Sequence, residues 1–505
     1  MSKKPVSGFM KEIARHTSIF GMSNLLRQGL GLILLPVYLS LIPTAEYGVL
    51  SMLMIAANLL SLLSSSTLAP ALFRSYYDYN TKEEQRTVIT TALVFTTVLA
   101  SAAIIASTFF LKPISLLLTG EGSYEKLVLM VLVSAGVRAV NTITMTVYRV
   151  KKWSGKYALL SVITMIISML TVIYLVVIRK MGIQGIITGN MIGAVAGTSL
   201  SLYFIRGELC TRISFPEIRK MYLFGYPHIP ENVTAFALNS GTRMILRIIC
   251  GSEGVGIYAL GKRIGSLIEK LVITPLTMIA PASIMSVEKD ENPERYYSAL
   301  ARYYFIITGY AALFLSLMTK PFLVLFSKQG YFDAWRVVPF ISLAIAVYGG
   351  RGLTSVGLML KRKTIWYPIA YAFGALTSLG LMVLLTERFG PSGTAISILA
   401  GNLMVVYIRH RAAARYMNVP IPWESILRAF LVYLFVGVPG CLLSTGYPLL
   451  DGAVLLSAGL LLVPFLLTKT GVLSREEMNS FRNIVADKLK SLPRDAGNFF
   501  KAVKR

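Results

Sequence analysis

Apolar runs long enough to cross a membrane recur along almost the whole chain. The segment Ala158–Ile178, ALLSVITMIISMLTVIYLVVI, contains no charged residue, and about 20 apolar residues in helical form span a hydrocarbon layer ~30 Å thick. Within that layer every backbone N–H and C=O must be satisfied internally, which admits helices or a closed barrel. Runs of this length select helices. Only 15% of the residues are charged, against about 25% in soluble domains. The sequence therefore predicts an all-α, polytopic membrane protein of about fourteen transmembrane helices. These are centred in 17–42, 46–72, 87–111, 124–148, 157–178, 184–205, 222–250, 255–286, 299–319, 334–360, 364–386, 391–410, 425–443 and 450–469.

The formal charge of +26 is distributed as membrane topology requires rather than gathered into a nucleic-acid-binding patch. When the loops are numbered alternately, about two thirds of the basic residues collect on one side, the asymmetry that marks cytoplasmic loops. That side holds the N-terminal MSKK, the segment Arg74–Arg86, RVKKWSGK (149–156), RISFPEIRK (212–220), KRK (361–363), RHRAAAR (409–415) and the C-terminal tail. Both termini are expected in the cytoplasm, with no nucleic-acid partner. The cysteines (210, 250, 441) and histidines (16, 228, 410) are scattered, with no metal-site or disulfide spacing. The first apolar run is too long for a signal-peptide core and is expected to remain as span one.

The sequence around span one recurs around span seven. LIPTAEYGVLSML (Leu41–Leu53) resembles IICGSEGVGIYAL (Ile248–Leu260), a one-residue shift setting Gly48 against Gly256, and the FG pair at 20–21 faces another at 224–225. An even number of spans per repeat gives both halves one orientation, related by an axis along the membrane normal. The expected layout is an amphipathic N-terminus (1–16), a first lobe (17–206), a linker (207–221), a second lobe (222–415), two added spans (416–470) and a basic amphipathic tail (471–505). Gly185, Gly189, Gly193 and Gly197 form a small-residue ridge suited to close helix packing. Pro227 and Pro230 are expected to bend or break span seven. In the tail, Ser474 and Glu477 have capping-box spacing, and Met478, Phe481, Val485 and Leu489 share a face suited to an anionic membrane surface.

Seven basic residues fall inside the runs: Arg27, Arg138, Arg243, Arg247, Arg263, Lys270 and Arg351. Each costs ~2.5–3.5 kcal/mol at mid-bilayer on the insertion scale, or on the order of 20 kcal/mol for the set if all faced lipid. They must face a wet cavity, pair with carboxylates or lie near the interface. The intramembrane acids are few, Glu231 and Glu269, with Glu253 near a loop. Polar stripes accompany the bases: Asn24, Arg27 and Gly31 in span one, Asn58, Ser61 and Ser65 in span two, and Arg138, Asn141 and Thr142 in span four. In span eight Arg263, Ser266, Lys270, Thr274 and Thr277 follow the helical period. The favoured reading is a cationic cavity for an anion such as phosphate or diphosphate, which arginine can hold bidentately. Snorkelling or helix–helix bonding is the competing account of each arginine taken singly. GIYALGKR (256–263) nearly spells a phosphate loop, but it ends in Arg and lacks the preceding strand. No nucleophile–base constellation or metal motif supports an enzyme, and no cofactor is expected.

The segments LPVYLSLIPTAEYGVLSM (35–52), APALFRSYYDY (69–79), FGYPHIPENV (224–233) and GSEGVGIYALGKRI (251–264), in this order and spacing, resemble one known family. It is the lipid-linked oligosaccharide flippases of bacterial polysaccharide (O-antigen) synthesis, in the multidrug/oligosaccharidyl-lipid/polysaccharide exporter superfamily. The resemblance covers the whole chain and implies two six-helix lobes, two added helices and alternating access around a central cavity. It implies a substrate, an undecaprenyl-diphosphate-linked glycan moved to the outer leaflet of the inner membrane, with membrane lipids and the polysaccharide polymerase and chain-length machinery as partners. By position, Arg27, Asn58, Arg243, Arg247, Arg263 and Lys270 fall on the implied cavity wall, beside Arg138 and Arg351 from the residue reading. Thr242 stands where relatives often carry Asp before the span-seven arginine. Coupling to H+ or Na+ is also implied, with Glu231 and Glu269 as candidates or, alternatively, as salt-bridge partners of nearby bases. A multidrug exporter of the same superfamily would want carboxylates in its cavity. A membrane polymerase or ligase would need a larger outward loop than 112–124 or 320–333 provides, and a lipid II flippase is a further alternative.

Overall fold

The computed structural model describes residues 34–65, 68–151, 153–225, 229–277, 284, 292–327, 329–361, 363, 365–417, 419–442, 447–474 and 476–477. Arg27, Pro227, the N-terminal segment 1–16 and the tail face from Met478 onward lie outside these residues, as do the side chains of Glu231 and Pro230. The described chain is helical without a strand. Eleven of its helical runs are long and apolar enough to cross a membrane. Two are broken by a glycine in the left-handed region, Gly251 (φ 67°) and Gly390 (φ 57°), where a residue without Cβ turns the chain at no steric cost. Each break falls between two predicted spans. The predicted spans two to fourteen are thus accounted for, and span one lies mostly outside the described residues.

By contacts the described residues divide into two compact units: 34–42 with Val49–Met244, and Pro43–Gly48 with 245–477. The first unit contains most of α1 (Thr44–Ser64), then α2 (Leu68–Tyr77), α3 (Lys82–Thr108), α4 (Glu125–Val150), α5 (Ser154–Ile173), α6 (Gly182–Ile205), α7 (Phe215–Gly225) and the start of α8 (Ile229–Gly265). Thr81 caps α3 by accepting from Glu84 N at 3.4 Å, in the expected T-x-x-E register. Leu72, Ile89, Ile143, Tyr148, Leu160 and Met221 meet in one apolar core. Around α5 only 11% of the most apolar window is buried, so most of its apolar surface is left uncovered by protein.

The glycine ridge of α6 packs against α5. A Cβ at Gly189 would lie 2.5 Å from Val172 Cγ2, one at Gly193 2.5 Å from Ser168 Cβ, and one at Gly197 2.5 Å from Thr164 Cγ2. Backbones this close leave no room for a side chain. Gly193→Val is expected to destabilise the first unit by about 1–3 kcal/mol, the usual range for overpacking. Thermal unfolding in detergent would show a lowered midpoint. Gly380→Ala, with nothing within 4 Å of the added atom, should leave it unchanged.

The linker after α6 folds onto the basic ends of α3 and α4. Lys151 pairs with Glu208, the Cys210 N–H donates to Thr90 Oγ1 at 3.0 Å, and the Ser214 N–H donates to Thr91 Oγ1 at 3.1 Å. The Tyr79 hydroxyl donates to Glu217, a carboxylate only 8% exposed. This hydrogen bond, with burial, raises the Tyr79 phenol above its ordinary value.

The second unit continues α8 through Gly251 to the π-helical turn Glu269–Ile273 and adds α9 (Pro293–Phe326) and α10 (Ala334–Gly349). A 3-10 turn, Gly350–Ser355, follows, then α11 (Trp366–Ala414), α12 (Trp423–Leu442) and α13 (Pro448–Ser457). Tyr304, Ala346, Leu353 and Val356 lie in one of its cores, and Leu317, Tyr433 and Leu455 in another. The capping box of the tail is formed: Ser474 N donates to Glu477 Oε2 at 2.8 Å and Glu477 N to Ser474 Oγ at 3.0 Å. Arg302 donates to the same carboxylate at 3.0 Å and to the Val472 carbonyl at 2.6 Å, fixing the start of the tail to α9.

Candidate functional site

The intramembrane bases sit on α4, α8 and the turn after α10. In the first unit Arg138 is half-buried and donates to Ser134 Oγ of its own helix at 2.9 Å. Its stripe neighbours bond elsewhere. Asn141 Nδ2 donates to Ser201 Oγ at 3.5 Å, Thr144 shares a 2.8 Å bond with the same hydroxyl, and the Tyr148 hydroxyl donates to the Ser201 carbonyl at 2.9 Å. This part of α4 is joined to α6 by polar bonds. In α1 Ser61 and Ser65 donate to their own helix at Ala57 and Ser61, and Asn58 stands exposed beside them. Arg243 is half-buried on α8, with Nη1 donating to the Ser51 carbonyl of α1 at 3.0 Å.

In the second unit Arg247 follows one turn along α8, half-buried, its Nε buried without a hydrogen bond among the described residues. Arg263 Nη1 donates to the Tyr47 hydroxyl at 3.3 Å. Glu269 and Lys270 are exposed on the π-helical turn. The hydroxyls of Ser266, Thr274 and Thr277 all donate to carbonyls of their own helix, so the charged groups are the outward-reaching members of that stripe. The stretch GIYALGKR is helical throughout, which removes the phosphate-loop geometry. Arg351, half-buried, lies 3.8 Å from the Tyr348 ring centroid and donates to the Tyr348 carbonyl at 2.8 Å.

Among the described residues Arg138, Arg247, Lys270 and Arg351 join no ion pair; the ion pairs present lie at loop ends and helix termini. The arginines reach hydroxyls, carbonyls and rings instead. Charges left without carboxylates inside membrane helices are a demand for an anion. No group of His, Cys, Asp and Glu among the described residues forms a metal site.

Two features escaped the sequence reading. A recess of about 550 Å³ opens beside α2 and the end of α4, with Phe73, Arg74, Tyr77, Thr146 and Arg149 in its lining. Arg409, assigned to a loop by its position in RHRAAAR, is instead half-buried on α11 over Tyr367. The aromatic spacing around these residues was the only available signal.

Within the second unit, the segment Pro43–Gly48 meets the helix that follows Gly251. A Cβ at Gly48 would fall 1.8 Å from the Ser252 carbonyl oxygen, and a Cβ at Gly256 2.1 Å from that of Thr44. The contact is reciprocal, and its members are the residues that the internal alignment sets against each other.

Residues 13–287 match the family described as polysaccharide biosynthesis protein. No curated protein matches the sequence. Among solved structures, the chain is similar to the lipid II flippase MurJ in an inward closed conformation, with a TM-score of 0.71 at 15% identity over 89% of this chain and 98% of that one. It is similar also to a multidrug resistance MATE family transporter of the MOP superfamily in an inward-facing conformation, with a TM-score of 0.63 at 14% identity over 78% and 94% of the two chains. A MOP superfamily transporter from Pyrococcus furiosus, described as having a binding pocket of reversed polarity, matches with a TM-score of 0.52 at 15% identity over 79% and 94%. At these identities the likeness speaks for the fold, which is that of the MOP transporters, and the family match covers more than half of the sequence. This multi-pass membrane chain belongs to the polysaccharide biosynthesis protein family.

Proposed function

We propose that the protein is a flippase that carries a polyprenyl-diphosphate-linked oligosaccharide from the cytoplasmic to the outer leaflet of the bacterial inner membrane. Transport proceeds by alternating access between two six-span lobes, with spans thirteen and fourteen as an addition. The observation that carries this reading is that Arg138, Arg247, Lys270 and Arg351 join no ion pair among the described residues. A diphosphate supplies the missing negative charge, and each hydrogen bond to a charged group is worth about 1.5–3 kcal/mol. Arg243, Arg247 and Arg263 of α8, with Lys270 on the π-helical turn beyond it, hold the diphosphate, with Arg27, Asn58, Arg138 and Arg351 completing the polar path. Glu269 and Glu231 are the candidates for coupling to H+ or Na+. The reciprocal approach of Gly48 and Gly256 supports the internal repeat. A lipid II flippase shares the fold, and lipid II is the second reading of the substrate.

The test is reconstitution in proteoliposomes with a fluorescent polyprenyl-diphosphate oligosaccharide and, separately, a fluorescent organic cation. Translocation of the glycan lipid and not the cation is expected. Cation transport without glycan-lipid translocation would sink the proposal.

The topology has its own test in Cys210, which lies on the basic side. Burial tends to raise its thiol, but hydrogen bonding with Thr87, Thr90 and the Arg212 backbone, together with the Arg212 charge, outweighs that and holds it below its ordinary value. A lowered thiol carries more thiolate at neutral pH and reacts faster. With Cys250 and Cys441 replaced by alanine, a membrane-impermeant maleimide is expected to label Cys210 in inverted vesicles and not in intact spheroplasts, with a rate midpoint at lower pH than an exposed cysteine. Labelling from the outside would reverse the proposed orientation.

A further inference from the structure

We infer that Arg351 and Arg409 form a second phosphoryl-binding site, in the second unit, where the diphosphate head of the glycan lipid first docks. The inference rests on the flippase reading and adds to it a place of entry distinct from the α8 bases. Both arginines are half-buried. Arg351 lies 3.8 Å from the centroid of Tyr348, and Arg409 lies 4.1 Å from that of Tyr367. Tyr348, under Arg351, meets Tyr371 with ring centroids 6.5 Å apart, one turn along α11 from Tyr367, and His410, next to Arg409, lies 3.2 Å from the carbonyl of Thr354 in the turn that carries Arg351, so the two arginine-bearing segments and their rings are packed together. Neither arginine joins an ion pair among the described residues, and Arg409 Nε is buried without a hydrogen bond there.

Two neighbouring cations in a partly desolvated place repel each other, and a helical protein would ordinarily insert a carboxylate between them. The cluster offers tyrosine faces instead. A guanidinium lying on a ring is attracted by it and leaves its in-plane N–H groups for hydrogen bonding; Arg351 gives one of them, on Nη1, to the Tyr348 carbonyl and keeps the others for a ligand. That edge matches the oxygens of a phosphate bidentately. Two such edges in one cluster suit a diphosphate better than a single carboxylate.

The scaffold holding the pair is tied at two levels. Asn402 Nδ2 donates to the Ala344 carbonyl at 2.8 Å, and His410 Nδ1 lies 3.2 Å from the Thr354 carbonyl. The turn that carries Arg351 is therefore bound to the helix that carries Arg409, and the site is formed before any ligand arrives. Its place along the helices also fits docking. Arg409 is in the last two turns of α11, and the turn bearing Arg351 leads within a few residues to Lys361 and Lys363. That basic end is the side on which the flippase reading places substrate pick-up.

The experiment uses the full-length protein in nanodiscs of phosphatidylcholine, with farnesyl diphosphate as the probe and thermophoresis as the readout. With Arg243→Ala/Arg247→Ala in the background to remove the contribution of the α8 bases, Arg351→Gln/Arg409→Gln is expected to weaken binding at least tenfold, and Arg409→Lys, which keeps the charge and loses the planar fork, about threefold to tenfold. Arg243→Ala/Arg247→Ala should retain the binding phase that the Gln double variant loses. If that double variant does not fold, Arg409→Lys decides alone. Binding within twofold of that background in either variant overturns the site. Repeating the titration in phosphatidylglycerol nanodiscs separates the two sources of a phosphoryl group. Unchanged affinity supports the glycan lipid, and competition by tenfold or more overturns it in favour of bulk phospholipid. If the Gln variant loses binding yet the cells export polysaccharide at the wild-type rate, the docking role is overturned and the flippase reading stands. If wild-type protein moves no glycan lipid in proteoliposomes, the flippase reading fails while the phosphoryl site is still judged by the titration.

Discussion

Arg243→Ala/Arg247→Ala is expected to abolish surface polysaccharide in cells lacking the chromosomal gene, at wild-type membrane levels of the protein, with the lipid-linked precursor accumulating on the cytoplasmic side. Two lost charge-assisted hydrogen bonds to the diphosphate amount to about 3–6 kcal/mol, which is roughly a hundredfold or more in affinity. The two positions differ in a way that sharpens the test. Arg243 Nη1 already holds the Ser51 carbonyl, so its loss also loosens α8 from α1. Arg247 makes no such bond through its buried Nε. Arg247→Gln alone therefore separates ligand binding from helix packing: export should fall at least tenfold with the thermal midpoint unchanged. Normal export in the double variant would assign both arginines to packing and remove them from the substrate path.

The span pattern was legible because a membrane helix must be apolar along its length, whatever it packs against. The turns at Gly251 and Gly390 were legible for the same reason, as polar and glycine-bearing gaps between runs. Packing partners were less so. The glycine ridge of α6 announced a close neighbour, and the structure supplies α5 through Val172, Ser168 and Thr164. Serine and threonine in a helix can donate to a carbonyl one turn back, as Ser61, Ser65, Thr274 and Thr277 do, so a stripe of hydroxyls does not by itself mark a wet wall. Arg409 lies within the predicted span 391–410 but was counted with the basic loop RHRAAAR, although α11 runs on to Ala414. Glu217 was missed because its partner Tyr79 is 138 residues away. Neither relation has a local signal.

Gly48→Ala/Gly256→Ala is expected to reduce transport at least tenfold while the protein still reaches the membrane. A Cβ at Gly48 would stand 1.8 Å from the Ser252 oxygen and 2.8 Å from its carbonyl carbon; one at Gly256 would stand 2.1 Å from the Thr44 oxygen. These obstacles are backbone atoms, so no rotamer change relieves them, and the two helix starts must separate by an ångström or so. Other contacts hold the segment in place and resist that separation. The Tyr331 hydroxyl donates to the Pro43 carbonyl at 3.3 Å, Tyr47 meets the Tyr331 ring edge-on at 6.0 Å, and Arg263 reaches the Tyr47 hydroxyl. Overpacking of about 1–3 kcal/mol changes the balance between joined and separated arrangements by roughly 5-fold to 150-fold. We propose that this crossing is one of the contacts that form and release in the cycle, so that a bias of that size stalls it. Ser252→Cys, with Cys250 replaced by alanine, reports on the crossing directly. An impermeant thiol reagent added from outside should label position 252 about tenfold faster when Gly48 is alanine, while Gly380→Ala leaves the rate as it was. Equal rates and full transport in the double glycine variant would mean that the crossing is no part of the cycle, and that the repeat at these glycines is a matter of packing alone.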